Sequence, residues 1–137
     1  MADEYSRDLS KIRYERAVEL YDEAKKLLED ELYKSANNRA YYAAEKAIKA
    51  ALALRGKDSK THSGVLHLFN VEYINNPCDY FDKYDYKMFQ RMEYIRTKSD
   101  YDDFYLASKV DSIKQVTEAK LLIDKVAVLL RDLNIIR

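Results

Sequence analysis

The sequence has very little of three residues that interrupt or cross-link a chain: two glycines, one proline and one cysteine among 137 residues. So few helix-breaking residues favour long helices over turns and strands. The single Cys78 excludes an intrachain disulfide, and it shows no metal-ligand spacing. Because cysteines without disulfides are typical of a reducing compartment, this usage favours a cytoplasmic protein.

Long hydrophobic runs and an excess of one charge are also missing. No segment approaches the roughly 18 consecutive apolar residues of a membrane span, and the charged start MADEYSRD is unlike a secretory signal. We therefore expect a cytoplasmic protein without membrane association. Lys and Arg number 24, as do Asp and Glu. Any contact with a polyanion such as RNA must therefore come from a local patch.

Common catalytic motifs are absent as well. The sequence has no glycine-rich phosphate loop, no pair of histidines at helical spacing and no Glu-x-x-His motif. These absences disfavour a P-loop enzyme, a zinc protease and a di-iron bundle. We therefore predict no metal site and no cofactor.

What the sequence does contain is apolar residues that recur every three to four positions, which predicts helices. The first helix is expected from about Asp3 to Leu32, with a buried stripe that includes Ala17 and Leu20. The second runs from about Tyr33 to Arg55 and ends at Gly56, a residue suited to the left-handed conformation after a helix. Strand alternation is absent.

Three further helices are expected after Gly56. One covers about residues 61–75 and ends before Pro77, and another covers about residues 80–98. The last begins near Ser108, which has capping-box spacing to Asp111 and precedes an apolar face. That face comprises Ile113, Val116, Ile123, Ala127 and Leu130. The fold class is therefore all-α, a bundle of four to five helices in a single domain over residues 1–137.

The second helix carries an unusual mixture of residues. In the stretch NNRAYYAAEKAIKAALALRG, residues 37–56, the alanines cluster on one side at 100° per residue and other apolar residues on an adjoining side. The helix is therefore predicted to be central, with neighbours on two faces. The remaining side and its edge are polar, with Asn38, Arg39, Tyr42, Glu45, Lys46 and Lys49. They are either surface residues or a polar pocket built on a rigid helix.

A second polar group occurs in RTKSDYDDFY. Arg96 and Asp100 are four residues apart and can pair on one helix face, with Tyr101 beside them. This group is either a solvated salt bridge or, together with Asn38 and Arg39, a site for phosphate contact and base stacking.

Three stretches of the sequence occur in an order that resembles the HEPN family of small prokaryotic helical proteins, in its branch of stand-alone domains. They are NRAYYAAEKAIKAAL, THSGVLHLF and RTKSDYDDF. The resemblance extends from about Ala17 to Leu130. It implies an up-and-down bundle and a homodimer. It also implies a component of a toxin–antitoxin or defence module, with a minimal nucleotidyltransferase as antitoxin and a metal-independent ribonuclease as toxin.

The sequence departs from this family at the active centre, which is usually an Arg followed after four to six residues by a His, one copy from each protomer lining a dimer cleft. Arg96 matches the Arg by place in the fold, but no His follows it. A neutral imidazole accepts a 2′-hydroxyl proton at pH 7, whereas an ordinary Asp is too weak a base. Arg55 and His62 have the spacing, but they straddle an interhelix loop, so we interpret this match as a coincidence.

Two functions therefore stay open. In the first, the protein is an RNA-directed or nucleotide-binding component, an endoribonuclease if it is catalytic, in which Arg96 holds a phosphate, Tyr101 stacks a base and Asp100 orients Arg96. The candidate binding residues are Asn38, Arg39, Tyr42 and His62. In the second, it is a catalytically silent module that dimerises and docks a minimal nucleotidyltransferase. The 13 tyrosines favour an aromatic interface in either case.

Overall fold

Five α-helices make up the computed structural model, which describes residues 2–137. In chain order they are α1 (Glu4–Glu29), α2 (Tyr33–Ala53), α3 (His62–Phe69), α4 (Lys83–Tyr101) and α5 (Lys109–Asp132), with one π-helical turn (Asn70–Ile74) after α3. No strand occurs in this part of the chain. The prediction of an all-α bundle of four to five helices is confirmed.

The central element is α2, which packs against each of the other four α-helices. More than half of its 21 residues are buried, and most of the buried ones are alanines. Because alanine has the smallest side chain with a Cβ, it lets neighbouring helices approach closely on several sides. The central position predicted for this helix is confirmed.

The helix ends follow local capping chemistry. Gly56 follows α2 with a φ of 67°, as expected for a left-handed C-terminal residue. Ser108 Oγ accepts a hydrogen bond from the Asp111 amide at 3.1 Å and begins α5. The expected bounds of α4 were wrong, because Asp82 and Asp85 form a reciprocal capping box that starts this helix at Lys83.

The start of α5 also differs from expectation. Ile113 was predicted on the buried face but is 44% exposed, whereas Val116 and Ile123 are buried as predicted. The polar side chains of Ser112 and Gln115 occupy the interior positions of this first part of α5. The helix is therefore rotated so that Ile113 points outward.

Those interior positions belong to a buried polar layer that joins α2, α4 and α5. Asn37 Nδ2 donates to Ser99 Oγ at 3.1 Å, and Ser112 Oγ donates to Asn37 Oδ1 at 2.8 Å. Gln115 Nε2 donates to the Met92 carbonyl at 2.9 Å. We call Asn37, Ser99, Ser112 and Gln115 the Asn37 layer. It satisfies polar groups that would otherwise be costly to bury.

We expect Asn37→Leu to lower the free energy of unfolding by about 2 kcal/mol, because the Ser99 and Ser112 hydroxyls lose a buried partner. Asn38→Leu is the matched control, since Asn38 is the next residue of α2 but is only half-buried, and we expect a loss below about 1 kcal/mol. Urea unfolding followed by circular dichroism measures both. Equal losses for the two variants would contradict a structural role specific to Asn37.

Large apolar side chains are exposed at the corner between α4 and α5. Tyr101 is 75% exposed, Phe104 94%, Leu106 87% and Val110 75%. We call these four residues the α4–α5 corner.

Among residues 2–137, none of the helices is both long enough and apolar enough to cross a membrane.

Candidate functional site

A cleft of about 430 Å³ opens between α1 and α2. The residues of α2 that line it share one face because they are three to four positions apart. They are Asn38, Arg39, Tyr42, Glu45 and Lys46, and α1 adds Arg16 and Leu20. We call this the α2 cleft. Three residues predicted to bind a nucleotide or RNA, namely Asn38, Arg39 and Tyr42, therefore lie together in one concave surface.

The end of α4 is tied to the rim of this cleft. Asn38 Nδ2 donates to the two carboxylate oxygens of Asp100, at 2.8 and 3.0 Å. Arg96 Nη1 donates to Asp100 Oδ2 at 2.9 Å, and the Tyr101 ring centroid lies 5.9 Å from the Arg96 guanidinium carbon. The structure thus brings Asn38, Arg96, Asp100 and Tyr101 together, as the sequence suggested.

Arg96 itself is enclosed rather than open to a ligand, because it is only 4% exposed. Its Nε donates to Glu93 Oε2 at 2.9 Å, and its Nη2 donates to Glu93 Oε1 and to Thr97 Oγ1, both at 3.2 Å. The hydrogen bonds that Arg96 donates to Glu93 raise the pKa of Arg96 above its ordinary value, so the guanidinium stays charged. With Glu93 and Asp100 both bound to it, Arg96 is placed to hold those carboxylates in position.

Arg39 does not join this group. Its guanidinium binds the Glu23 carboxylate of α1. Consecutive residues of a helix are 100° apart, so Asn38 and Arg39 reach different neighbours. Of the two residues expected to meet the group at the end of α4, only Asn38 does so, and it does so through Asp100.

The structure gives His62 a position that its sequence context did not reveal. His62 is the first residue of α3, after the cap made by Thr61, and its Nδ1 lies 2.5 Å from Glu45 Oε2. The His62 side chain is 31% exposed and that of Glu45 is 12% exposed. A carboxylate bound to Nδ1 fixes the tautomer and leaves Nε2 for proton transfer. We call this the His62–Glu45 pair.

Tyr41 connects the His62–Glu45 pair to Arg96. Its hydroxyl donates to Glu45 Oε2 at 2.7 Å, and its ring centroid lies 5.4 Å from the His62 ring and 5.4 Å from the Arg96 guanidinium carbon. Burial, followed by the charge of Glu45, raises the pKa of Tyr41 above its ordinary value, so the phenol remains a donor. An arginine and a histidine that are far apart in the sequence therefore pack against one tyrosine ring.

Arg55 and His62, which have the spacing of the family motif, contact different parts of the fold. The Arg55 guanidinium carbon lies 4.5 Å from the Tyr73 ring centroid, and its Nη1 donates to the Glu72 carbonyl at 3.1 Å. Arg55 thus packs on the π-helical turn, whereas His62 binds α2. This agrees with interpreting the spacing as a coincidence.

These features define a class of protein: an all-α bundle whose central helix carries a polar cleft with a carboxylate–histidine pair beside it. Residues 2–137 contain no group of three or more His, Cys, Asp or Glu side chains placed to hold a metal ion. The groups available for chemistry in the cleft and around it are therefore an imidazole, carboxylates, amides, phenols and cations.

The HEPN domain matches residues 10–134. A Thermotoga maritima protein named "UPF0332 protein" is 33% identical over 119 residues, which cover 87% of this chain and 89% of that relative. A Methanocaldococcus jannaschii protein named "Putative toxin" is 30% identical over 120 residues, 87% of each chain, and another of that name and organism is 28% identical over 139 residues, 97% of this chain and 88% of that relative. The chain therefore belongs to the HEPN domain family.

Proposed function

We propose that the protein is the toxin of a toxin–antitoxin module and cleaves RNA without a metal ion. Its HEPN domain and its relatives named as toxins support the biological role. One observation carries the chemistry: the 2.5 Å contact between His62 Nδ1 and Glu45 Oε2. This contact provides an oriented imidazole, the group that the sequence after Arg96 lacks.

The proposed reaction is a transesterification within the RNA strand. His62 Nε2 accepts the proton of a ribose 2′-hydroxyl, and the 2′ oxygen forms a bond to the adjacent phosphorus. The bond from phosphorus to the 5′ oxygen of the next nucleotide breaks, and that oxygen takes a proton from water. The products are a 2′,3′-cyclic phosphate and a 5′-hydroxyl. His62 then releases its proton to solvent.

Other residues around the cleft have positioning roles in this proposal. The Tyr42 ring centroid lies 5.6 Å from the His62 ring, so a base stacked on Tyr42 would lie next to the imidazole. Glu45 holds Nδ1 and stabilises the imidazolium that forms. Arg96 acts through Asp100, which in turn holds the Asn38 amide at the cleft rim.

The test is incubation of the purified protein with single-stranded RNA in the presence of EDTA. We expect cleavage to continue under chelation and to leave 2′,3′-cyclic phosphate ends, identified by mass spectrometry of the fragments. Ends that carry a 3′-hydroxyl and a 5′-phosphate would contradict the proposed mechanism, because attack by the 2′ oxygen cannot produce them. The absence of any cleavage would refute the ribonuclease proposal.

A second candidate function is a catalytically silent module that forms a homodimer and docks a minimal nucleotidyltransferase. It is favoured by two observations: the Arg96 donors are occupied by Glu93, Asp100 and Thr97, and the α4–α5 corner leaves large apolar side chains in solvent. Exposed apolar clusters of this kind are typical of protein interfaces. Light scattering above the 16.2 kDa monomer mass, in a sample that leaves RNA intact, would support this candidate instead.

A further inference from the structure

A cavity of about 580 Å³ lies where the start of α1, the end of α2 and the end of α5 meet. The π-helical turn after α3 and the segment that follows it form another part of its wall. We call it the terminal cavity, because it is built mainly from helix ends. It shares no lining residue with the α2 cleft, so it is a separate site.

The wall of the terminal cavity is largely apolar. Leu54 directly follows α2, and Leu129 and Leu133 come from the end of α5. The rings of Tyr73 and Tyr80 line it as well. Tyr73 belongs to the π-helical turn, and such turns frequently occur at functional sites. The volume is in the range of small-ligand sites, and an apolar ligand that fills it would remove this surface from water.

The hydroxyl groups of the two tyrosines are already bound. The Tyr73 hydroxyl donates to the Ala51 carbonyl at 2.5 Å, and the Tyr80 hydroxyl donates to Asp132 Oδ2 at 2.8 Å. A nucleobase in the cavity would face mostly apolar side chains and would leave polar groups on its edge unpaired, which is costly. The lining therefore favours an aliphatic chain over a nucleobase.

Two arginines add positive charge to this apolar wall. Arg55 is compensated, because its Nη1 lies 3.8 Å from Glu72 Oε1. Arg7 is not: its Nη2 donates to the Leu133 carbonyl at 2.7 Å, and over residues 2–137 its guanidinium forms no ion pair. Among those residues, no Asp or Glu lines the cavity. One uncompensated cation beside an apolar cavity matches a ligand with an apolar body and a single negative charge.

We propose that the terminal cavity binds a medium-chain fatty acid, with its carboxylate on Arg7 and its aliphatic chain against Leu54, Leu129 and Tyr73. A guanidinium carries five N–H donors and binds a carboxylate through two of them, so Arg7 can bind the ligand while it holds the Leu133 carbonyl. A peptide that ends in apolar residues offers the same carboxylate, but its backbone amides would lie unpaired against the apolar wall. The proposal concerns a site apart from His62 and does not depend on RNA cleavage.

The thiol of Cys78 makes binding measurable at this place. Cys78 is the only cysteine of the chain, it lines the terminal cavity and it is half-buried. Iodoacetamide is uncharged and alkylates the thiol, and mass spectrometry of the intact protein gives the rate. We expect decanoate to slow this alkylation in a saturable manner.

The length of the aliphatic chain tests the apolar part of the site. Isothermal titration calorimetry of the wild type with hexanoate, octanoate and decanoate gives the three affinities. Each additional buried methylene should tighten binding about fourfold. Decan-1-ol has the same chain length as decanoate without the charge, and we expect it to bind about tenfold more weakly.

Arg7→Gln tests the contact with the carboxylate. We expect this variant to bind decanoate about tenfold more weakly, because the ligand loses charge-assisted hydrogen bonds. Lys11→Gln is the matched control, since Lys11 lies one turn further along α1 and lines a different cavity; we expect wild-type affinity. Melting curves from circular dichroism show whether both variants are folded. If Arg7→Gln does not fold, the comparison of decanoate with decan-1-ol on the wild type tests the same contact.

Four results would overturn the proposal: alkylation of Cys78 unaffected by decanoate, equal affinities for hexanoate and decanoate, decan-1-ol binding as tightly as decanoate, or wild-type affinity in a folded Arg7→Gln variant. Equal protection of Cys78 by adenosine monophosphate would also overturn it, in favour of a nucleotide site. Equal protection by trileucine would do so in favour of a peptide carboxyl terminus. All of these measurements are made without RNA, so failure of the fatty-acid site and failure of the ribonuclease are distinguishable.

Discussion

His62→Ala is expected to reduce the rate of RNA cleavage by about a hundredfold or more, the loss typical of removing a general base. The reason is geometric: Glu45 binds Nδ1 of His62 at 2.5 Å, which leaves Nε2 as the nitrogen that accepts a proton. His67→Ala is the matched control. His67 is the other histidine of the chain, and it lies on the same short helix with its side chain exposed. We expect this control to cleave RNA at the wild-type rate.

A second substitution separates proton transfer from structure. His62→Asn keeps a side-chain donor for Glu45 but has no nitrogen that can accept a proton near neutral pH. We expect it to melt close to the wild-type temperature and to be as inactive as His62→Ala. Initial rates with single-stranded RNA and thermal melts on the same samples measure both properties. Wild-type rates for either His62 variant would exclude His62 as the base.

Arg96→Ala is expected to lower the free energy of unfolding by about 3 kcal/mol, because it leaves two carboxylates without the cation between them. Glu93 and Asp100 are each 23% exposed, which places the expected loss at the lower end of the range for a broken buried pair. Loss of the guanidinium from the Tyr41 ring adds to it. Urea unfolding measures the effect, and a loss below about 1 kcal/mol would show that the two carboxylates relax into solvent.

Arg96→Lys distinguishes a positioning role from direct contact with phosphate. Lysine keeps the charge but cannot make the paired contacts of Nε and Nη2 with Glu93. If Arg96 acts only through Asp100, stability and RNA cleavage should fall together in this variant. A stable variant with strongly reduced cleavage would instead indicate that Arg96 contacts the reacting phosphate, as first inferred from the sequence.

Much of the fold was predictable because it depends on local periodicity and on capping residues. Alanine spacing identified the central helix, and Gly56 and Ser108 marked helix ends that the structure confirms. The start of α4 was missed because its capping box uses two aspartates, Asp82 and Asp85, and not the more familiar Ser or Thr with Glu. The π-helical turn after α3 was not predicted, since such turns have no sequence signal of their own.

The candidate site was only partly predictable, because its contacts join residues that are distant in sequence. Asn38, Arg96 and Asp100 were recognised from their types and spacing, and they do meet. The role of His62 depends on where the loop after Gly56 places α3, and no local sequence pattern specifies that position. Asn37 was overlooked beside Asn38, because a rotation of 100° separates an interior position from a cleft position.

The central place of α2 also affects the thermodynamics of ligand binding. Five of the cleft residues project from this one helix, namely Asn38, Arg39, Tyr42, Glu45 and Lys46, and its backbone is constrained by neighbours on several sides. Folding has thus already removed the conformational entropy that the backbone beneath these side chains would otherwise lose on binding. A flexible RNA strand that enters the cleft would therefore account for most of the conformational entropy lost on binding. Its affinity should depend more on the stiffness of the RNA than on rearrangement of the protein.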